Sequence, residues 1–161
     1  MDMQIRHATE ADIPGIDKCL LQVLAVHAEG RPDLFVTGTR KYTDVELSEI
    51  IADDLRPVFV AVEEDAEPGV ILGYAFCEVQ DFSGSNNMQP IRTLYVDDLC
   101  VDVDARRGHV GSGLYHHVLG WARENGFHNV TLNVWECNPG ARAFYEAMGM
   151  NVMKTCMEQL P

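Results

Sequence analysis

Between Asp97 and Leu114 the chain reads Asp97-Asp98-Leu99-Cys100-Val101-Asp102-Val103-Asp104-Ala105-Arg106-Arg107-Gly108-His109-Val110-Gly111-Ser112-Gly113-Leu114. Two arginines and three glycines are gathered between a β-branched apolar run and an amphipathic one. A strand that enters such a turn and leaves it as a helix aims the helix's unpaired N–H groups at whatever occupies the turn, which suits an anion. Glycine lets a ligand reach the backbone without meeting a Cβ, and Arg106 and Arg107, with His109 beside them, place positive charge in an otherwise acidic neighbourhood. The guest these features favour is a phosphate or pyrophosphate; the bland alternative is a tight strand-to-helix turn and nothing more. Gly108 and Gly113 have the spacing of a nucleotide-binding P-loop, but Leu114 and Tyr115 stand where Lys and Ser or Thr are required. A dinucleotide fold would place its glycines after the first strand of a parallel unit, and here they follow an antiparallel run.

A second chemically suggestive stretch is Asn133-Val134-Trp135-Glu136-Cys137-Asn138-Pro139-Gly140-Ala141-Arg142-Ala143-Phe144-Tyr145-Glu146-Ala147-Met148-Gly149. Asn138 is a good N-cap, Pro139 fits the first helical position and Gly149 the position past the end. Ala141, Phe144, Tyr145 and Met148 share one face of that helix. Tyr145 by itself reads as a core tyrosine with a polar tip.

The elements that must carry these residues follow from periodicity. Residues 3 to 8 alternate as a strand; Thr9 and Asp12 form a capping signature before an apolar-periodic helix from Ile13 to Val26, which His27 to Asp33 break with Gly and Pro. Thr43 caps an acidic helix reaching about Leu55. Pro57 to Glu63, Gly69 to Gln80 and Arg92 to Val101 read as strands, the first two joined by hairpin chemistry at Asp65 to Gly69. Val110, Leu114, Val118, Trp121 and Ala122 form a helical stripe stopped by Gly126. Asn129 to Trp135 alternates as a strand, Asn138 to Met148 is helical, and Met150 to Met157 reads as a last strand. The order β-α-α-β-β-β-α-β-α-β implies a mixed α+β fold in the α/β class. Its central mixed sheet is antiparallel first and parallel between the fourth and fifth strands.

Composition narrows the function. A chain of 161 residues forms one domain, 1–161, burying roughly 69% of its unfolded surface. Its 25 Asp and Glu against 12 Lys and Arg give a formal charge of -13, which repels nucleic-acid phosphates. The longest apolar run, Gly69 to Cys77, is far too short to span a membrane, and the N-terminus lacks the apolar core of a secretory signal. Cys19, Cys77, Cys100, Cys137 and Cys156 are odd in number and widely spaced, which fits neither a disulfide framework nor a zinc site and points to the cytoplasm. His116 and His117, being adjacent, diverge on a helix rather than forming the i, i+4 pair that a metal wants. The Asn129-Val130-Thr131 sequon falls in a predicted strand and carries no weight.

Strand, Arg106-to-Gly111 turn and helix, then strand and Asn138-x-x-Ala141-x-x-Phe144-Tyr145-x-x-x-Gly149, resemble the two signature motifs of the GNAT superfamily of acetyl-CoA-dependent N-acetyltransferases. The match is close over about residues 92–151. It departs once: the usual R/Q-x-x-G-x-G has His109 for its first glycine, which excludes a glycine-only backbone conformation there. The resemblance implies acetyl-CoA as co-substrate and no metal. Its pantetheine arm would lie along Leu99, Cys100 and Val101, touched by Asn138. Its pyrophosphate would rest on Arg106, Arg107, Gly108, His109, Val110, Gly111, Ser112 and Gly113.

Acetyl transfer to an amine needs a base, an oxyanion stabiliser and an acid for the departing thiolate. Tyr145 fits the acid, since its reference pKa of about 10 lies above the roughly 8.5 of a thiol. Asp98, placed ahead of Asp97, is the candidate base; adjacent residues on a regular strand face opposite ways, so only one of them would meet the acceptor. An ordinary aspartate is a weak base unless burial, a like charge or a water chain assists it. Cys100 raises an acyl-cysteine route, but only carboxylates are near it in sequence, so direct transfer in a ternary complex is favoured. By analogy with the family, His27 and Arg31 line the acceptor site. The acceptor expected is a primary amine on a small molecule or peptide. The competing readings are a non-catalytic acyl-CoA-binding regulatory module and a phosphate-ligand domain unrelated to coenzyme A.

Overall fold

The computed structural model describes residues 2–161. Its strands are β1 (Met3–His7), β2 (Val58–Glu63), β3 (Gly73–Asp81), β4 (Arg92–Val101) and β5 (Asn129–Leu132), and its helices are α1 (Ile13–Gly30), α2 (Asp44–Ile51), α3 (Val110–Glu124) and α4 (Pro139–Ala147). The five strands form one sheet in the order β1-β2-β3-β4-β5, antiparallel throughout except for the parallel β4–β5 pair. That mixed sheet and the order of its flanking helices are those expected from periodicity.

Two apolar layers sandwich the sheet. Ile16 and Leu20 of α1 and Leu47 and Ile50 of α2 pack on Val58, Val60, Tyr74 and Phe76. Leu114, Val118 and Ala122 of α3 pack on the other face against Phe59, Ala61, Ala75, Leu94 and Val96. β2 is therefore buried on both sides, which explains its unbroken apolar sequence, Val58-Phe59-Val60-Ala61-Val62. Thr43 caps α2 by accepting from the Glu46 N–H while the Glu46 carboxylate accepts from the Thr43 N–H at 2.7 Å. Gly126, at φ +74°, ends the α3 segment in the left-handed conformation that glycine adopts without strain.

Five elements differ from those expected from sequence. β3 begins at Gly73 instead of Gly69, because the Val70 N–H turns back to the Glu67 carbonyl at 3.1 Å. α1 runs through His27 to Gly30, and the Arg31 N–H still bonds the His27 carbonyl at 2.8 Å, so Pro32 rather than Gly30 stops it. Gly30 belongs inside because a Cβ there would lie 2.6 Å from the Cys137 sulfur. α2 ends at Ile51 because the Asp53 carboxylate accepts from the Leu55 N–H at 2.9 Å and turns the chain. β5 closes at Leu132 instead of Trp135. The last strand expected at Met150 to Met157 does not form: residues 151–161 pair with no strand and are all exposed. Its sequence is strand-like, but a strand exists only through a partner.

Candidate active site

The site is organised by an irregularity in β4. Phe76 of β3 pairs with Asp98, yet the next residue, Cys77, pairs with Val96, so Asp97 is an extra residue and β4 bulges there. Leu94 and Val96 face the α3 layer before the bulge, whereas after it Leu99 and Val101 do so and Cys100 joins the α1–α2 layer. Alternation is thereby broken, and the expectation that Asp97 and Asp98 face opposite ways is corrected. Tyr42 donates its hydroxyl to Asp97 at 2.7 Å and Tyr74 donates to Asp98 at 2.6 Å. Both tyrosines stack on Phe76, so the two carboxylates share one side of the sheet.

Their environments differ. Asp97 also accepts from the Lys41 ammonium at 2.8 and 2.9 Å, so its charge is matched. Asp98 is half-buried, and desolvation pushes its carboxyl up to about 6 against the pull of the Tyr74 hydroxyl. Burial and the Asp98 charge in turn hold the Tyr74 hydroxyl firmly protonated. Replacing Tyr74 with Phe removes a hydrogen bond to the charged form of Asp98. The midpoint of the Asp98 titration should therefore move up, read by the carboxyl carbon shift in a pH series; an unmoved midpoint would deny Tyr74 that influence.

Beside the bulge the sheet opens. β5 pairs only with Thr93 to Val96, so from Asp97 to Val101 the β4 edge facing β5 has no strand on it. Leu99, Cys100 and Val101 lie on that stretch. Immediately beyond, a short turn at Val103–Ala105 leads to α3. From Arg106 to Ser112 no backbone N–H finds a backbone acceptor among the described residues; the first amide of this run to bond is Gly113, to the His109 carbonyl at 2.9 Å. Seven successive amides at the approach to a helix are thus left as unpaired donors, the kind of group an anion such as a pyrophosphate accepts from. Arg107 and His109 reach it through positive φ angles of 79° and 59°. His109 takes the left-handed αL conformation, which is not confined to glycine and which histidine tolerates better than most residues.

Not every glycine serves the ligand side. A Cβ on Gly113 would lie 2.7 Å from the Met3 side chain, so this glycine lets α3 approach β1. Gly111 faces Phe144 and Val101 at ordinary contact distances. Asn138 caps α4 by accepting from the Ala141 N–H at 3.2 Å, leaving its amide nitrogen for any other contact.

Tyr145 is half-buried on α4, its ring 5.1 Å from that of Phe144 and 6.4 Å from that of Tyr115. Its hydroxyl makes no hydrogen bond among the described residues, and burial together with the charge on Asp98 pushes its pKa up. Cys100 is buried, and hydrogen bonding with Cys19 and desolvation push its thiol far up, so a nucleophilic thiolate is disfavoured there.

The α1–α2 side carries His27 and Arg31. His27 stacks on Phe35 at 5.2 Å and lies 6.3 Å from Trp135, and burial with the Lys41 charge lowers its pKa. Arg31 is occupied by Asp33 at 2.8 Å and by Glu158 at 2.7 Å. The residues that sequence reasoning missed are Lys41, Tyr42 and Tyr74. Their link to the aspartates depends on the bulge; the visible hint was Tyr74 and Phe76 alternating on one face of β3. No cluster of three or more His, Cys, Asp or Glu is placed to hold a metal among the described residues, and no helix is long and apolar enough to cross a membrane.

Comparison with known proteins places this arrangement. The BH1408 protein of Bacillus halodurans, solved as a tetramutant, superposes with a TM-score of 0.89 at 26% identity over 98% of this chain and 99% of that one. An aminoglycoside acetyltransferase from an uncultured soil metagenomic sample, in complex with sisomicin, has a TM-score of 0.72 at 18% identity, covering 99% and 95%. Glucosamine-6-phosphate N-acetyltransferase from Arabidopsis thaliana has 0.68 at 21%, covering 99% of each chain. No curated protein matches by sequence. The model of the Acetyltransferase (GNAT) family matches residues 23–150, from within α1 to just past α4 and so across the bulge, the open edge and the unpaired amides; the chain belongs to that family.

Proposed function

We propose that this protein is an N-acetyltransferase working as one domain over residues 1–161, moving an acetyl group from acetyl-CoA to a primary amine of a small molecule or peptide by direct attack in a ternary complex. The observation that supports this most is the β4 bulge, which turns Asp97 and Asp98 to one side of the sheet at the point where the β4 edge opens toward the unpaired amides. Acetyl-CoA supplies the activated thioester. The open edge at Leu99, Cys100 and Val101 offers backbone hydrogen-bonding groups to the pantetheine arm, and the amides of residues 106–112 with Arg106 and Arg107 offer donors to the pyrophosphate. Asp98, poised near neutrality, takes the proton from the ammonium form of the acceptor, directly or through water. Tyr145 keeps its proton at neutral pH and offers it to the departing sulfur. Asp97, matched by Lys41, contributes negative potential that favours a cationic amine.

Aromatic edges from His27, Phe35 and Trp135 make the α1–α2 side a wall of the acceptor site. The structural neighbours named for aminoglycoside and glucosamine-6-phosphate acetylation support an amine acceptor as a class and no particular one. Five free cysteines suit a reducing, cytoplasmic setting.

Acetyl-CoA at a hundred times its Kd should stabilise the protein by about 2.7 kcal/mol, raising Tm by roughly 5–10 °C for a chain of this size. A panel of primary amines assayed for released thiol should then find turnover. Stabilisation with no thiol release across the panel would instead identify a non-catalytic acyl-CoA-binding module. No thermal shift at millimolar acetyl-CoA would remove the cofactor assignment.

A further inference from the structure

Three features at one end of the sheet are each left without a partner. The outer edge of β5 has no strand on it, and its sequence, Asn129-Val130-Thr131-Leu132, holds no charge and no proline. Edge strands are usually blunted by such residues, as β1 at the opposite edge is by Arg6, because a bare edge templates the pairing of another chain. Next, α4 covers this end with an apolar face of Ala141, Phe144, Tyr145 and Met148, yet no residue of the helix is fully buried. Finally, the tail after Gly149 runs without Gly or Pro to Leu160, and its Val152, Met153, Met157 and Leu160 stand 63–84% exposed.

These features match one another. Val152 and Thr155 are β-branched, polar and apolar positions are mixed along the tail, and Lys154 is the one charge from Met150 to Met157. Such a segment is fit to add a strand to an uncharged edge and to lay apolar side chains beneath a half-covered helix. Within the protomer it does neither. Its first residue is held back on α4, where the Met150 N–H bonds the Tyr145 carbonyl at 3.0 Å, and farther along Glu158 is drawn to Arg31 at the end of α1.

We propose that the tail pairs with β5 of a second copy of this chain, each protomer supplying the strand the other lacks. A twofold arrangement satisfies both edges with one interaction made twice and leaves no edge free to propagate. Eleven residues reach about 36 Å when extended, ample to cross to a neighbouring sheet edge. Val134 and Trp135, exposed just past β5, then become part of the seam. The exchange also braces α4, so the partner's tail forms part of the support on which Tyr145 sits.

The full-length chain in size-exclusion chromatography with light scattering should give twice its 18.0 kDa mass. Hydrogen exchange on the same sample should show the amides of residues 151–157 protected, together with those of β5. Val152→Pro with Thr155→Pro removes one ladder donor whichever way the tail faces β5, because the N–H groups of these two positions point to opposite sides of an extended chain, and it does so in a segment that makes no strand in the protomer, so the far-UV spectrum should stay and dimerisation weaken at least tenfold. A monomeric wild type overturns the proposal even with a protected tail, since pairing would then be within one chain. So does a dimer that the proline variant leaves unchanged, or a tail that exchanges freely. Should the proline variant fail to fold, mass and exchange protection on the wild type decide. None of these readings depends on catalysis, so loss of the acetyltransferase assignment would leave them standing.

Discussion

Replacing Asp98 with Asn is expected to remove the acid limb of kcat/KM and, at the same time, to make the protein more stable at neutral pH. The carboxyl titrates near 6 in the folded chain because burial disfavours its charged form, well above the roughly 4 of an aspartate in the unfolded chain. It therefore binds a proton more readily when folded. Its contribution to stability is complete below about pH 4 and is lost as the pH rises through about 6. At pH 7 the folded protein carries a desolvated carboxylate at a cost of up to a few kcal/mol, because the folded midpoint stands about two pH units above the unfolded one and each unit is worth about 1.4 kcal/mol. Asn can still accept the Tyr74 hydrogen bond and carries no charge, so most of that cost should vanish and Tm should rise by several degrees. Wild-type kcat/KM should climb with pH through about 6 and level off. The variant should be slower by about 10²-fold or more, without that inflection. A carboxylate serving only structure would give no such opposition: an Asp98→Asn protein with a higher Tm and an intact pH profile would pass the role of base to Asp97 or to water.

The second large effect is expected at Tyr145. Its hydroxyl has no hydrogen-bond partner among the described residues, while its ring packs beside Phe144 and Tyr115. Tyr145→Phe keeps the ring and leaves no buried partner unsatisfied, so stability should stay within about 0.5 kcal/mol. If the hydroxyl donates to the departing sulfur, kcat should fall by about 10²-fold, with acetyl-CoA affinity changed by less than about threefold, since the interaction forms as charge develops. The pairing of an unchanged Tm with a large loss in turnover is the signature. Equal losses in kcat and cofactor affinity would make Tyr145 a wall of the arm's channel, and unchanged turnover would remove it from the chemistry.

The two substitutions probe opposite arrangements of the same physics. Asp98 is a charge-bearing group held where charge is costly, which raises its proton affinity into the useful range. Tyr145 is a neutral donor held where ionisation is costly, which keeps its proton in place. Both depend on desolvation beside the stretch of β4 that β5 leaves unpaired.

Much of this was written in local sequence. The cap at Thr43, the stop at Gly126, the Asn138-Pro139 start of α4 and the apolar stripe of α3 depend on residues within a few positions of one another, and each formed as read. The glycine- and arginine-rich turn was likewise legible as a helix start with unpaired amides, because a helix N-terminus leaves its first N–H groups free whatever surrounds it. Tertiary structure decided what local sequence cannot encode. The bulge at Asp97 arises from the register of β3 against β4 and turned two supposedly opposed carboxylates to one side; Tyr42 and Tyr74 reach them across about 55 and 24 residues of chain. Gly113 proved to be a packing glycine because β1, over a hundred residues earlier, lies against it. Met150 to Met157 carries the composition of a strand and forms none within the protomer, since propensity describes a side chain's fit to a sheet and only a neighbouring edge supplies the hydrogen bonds.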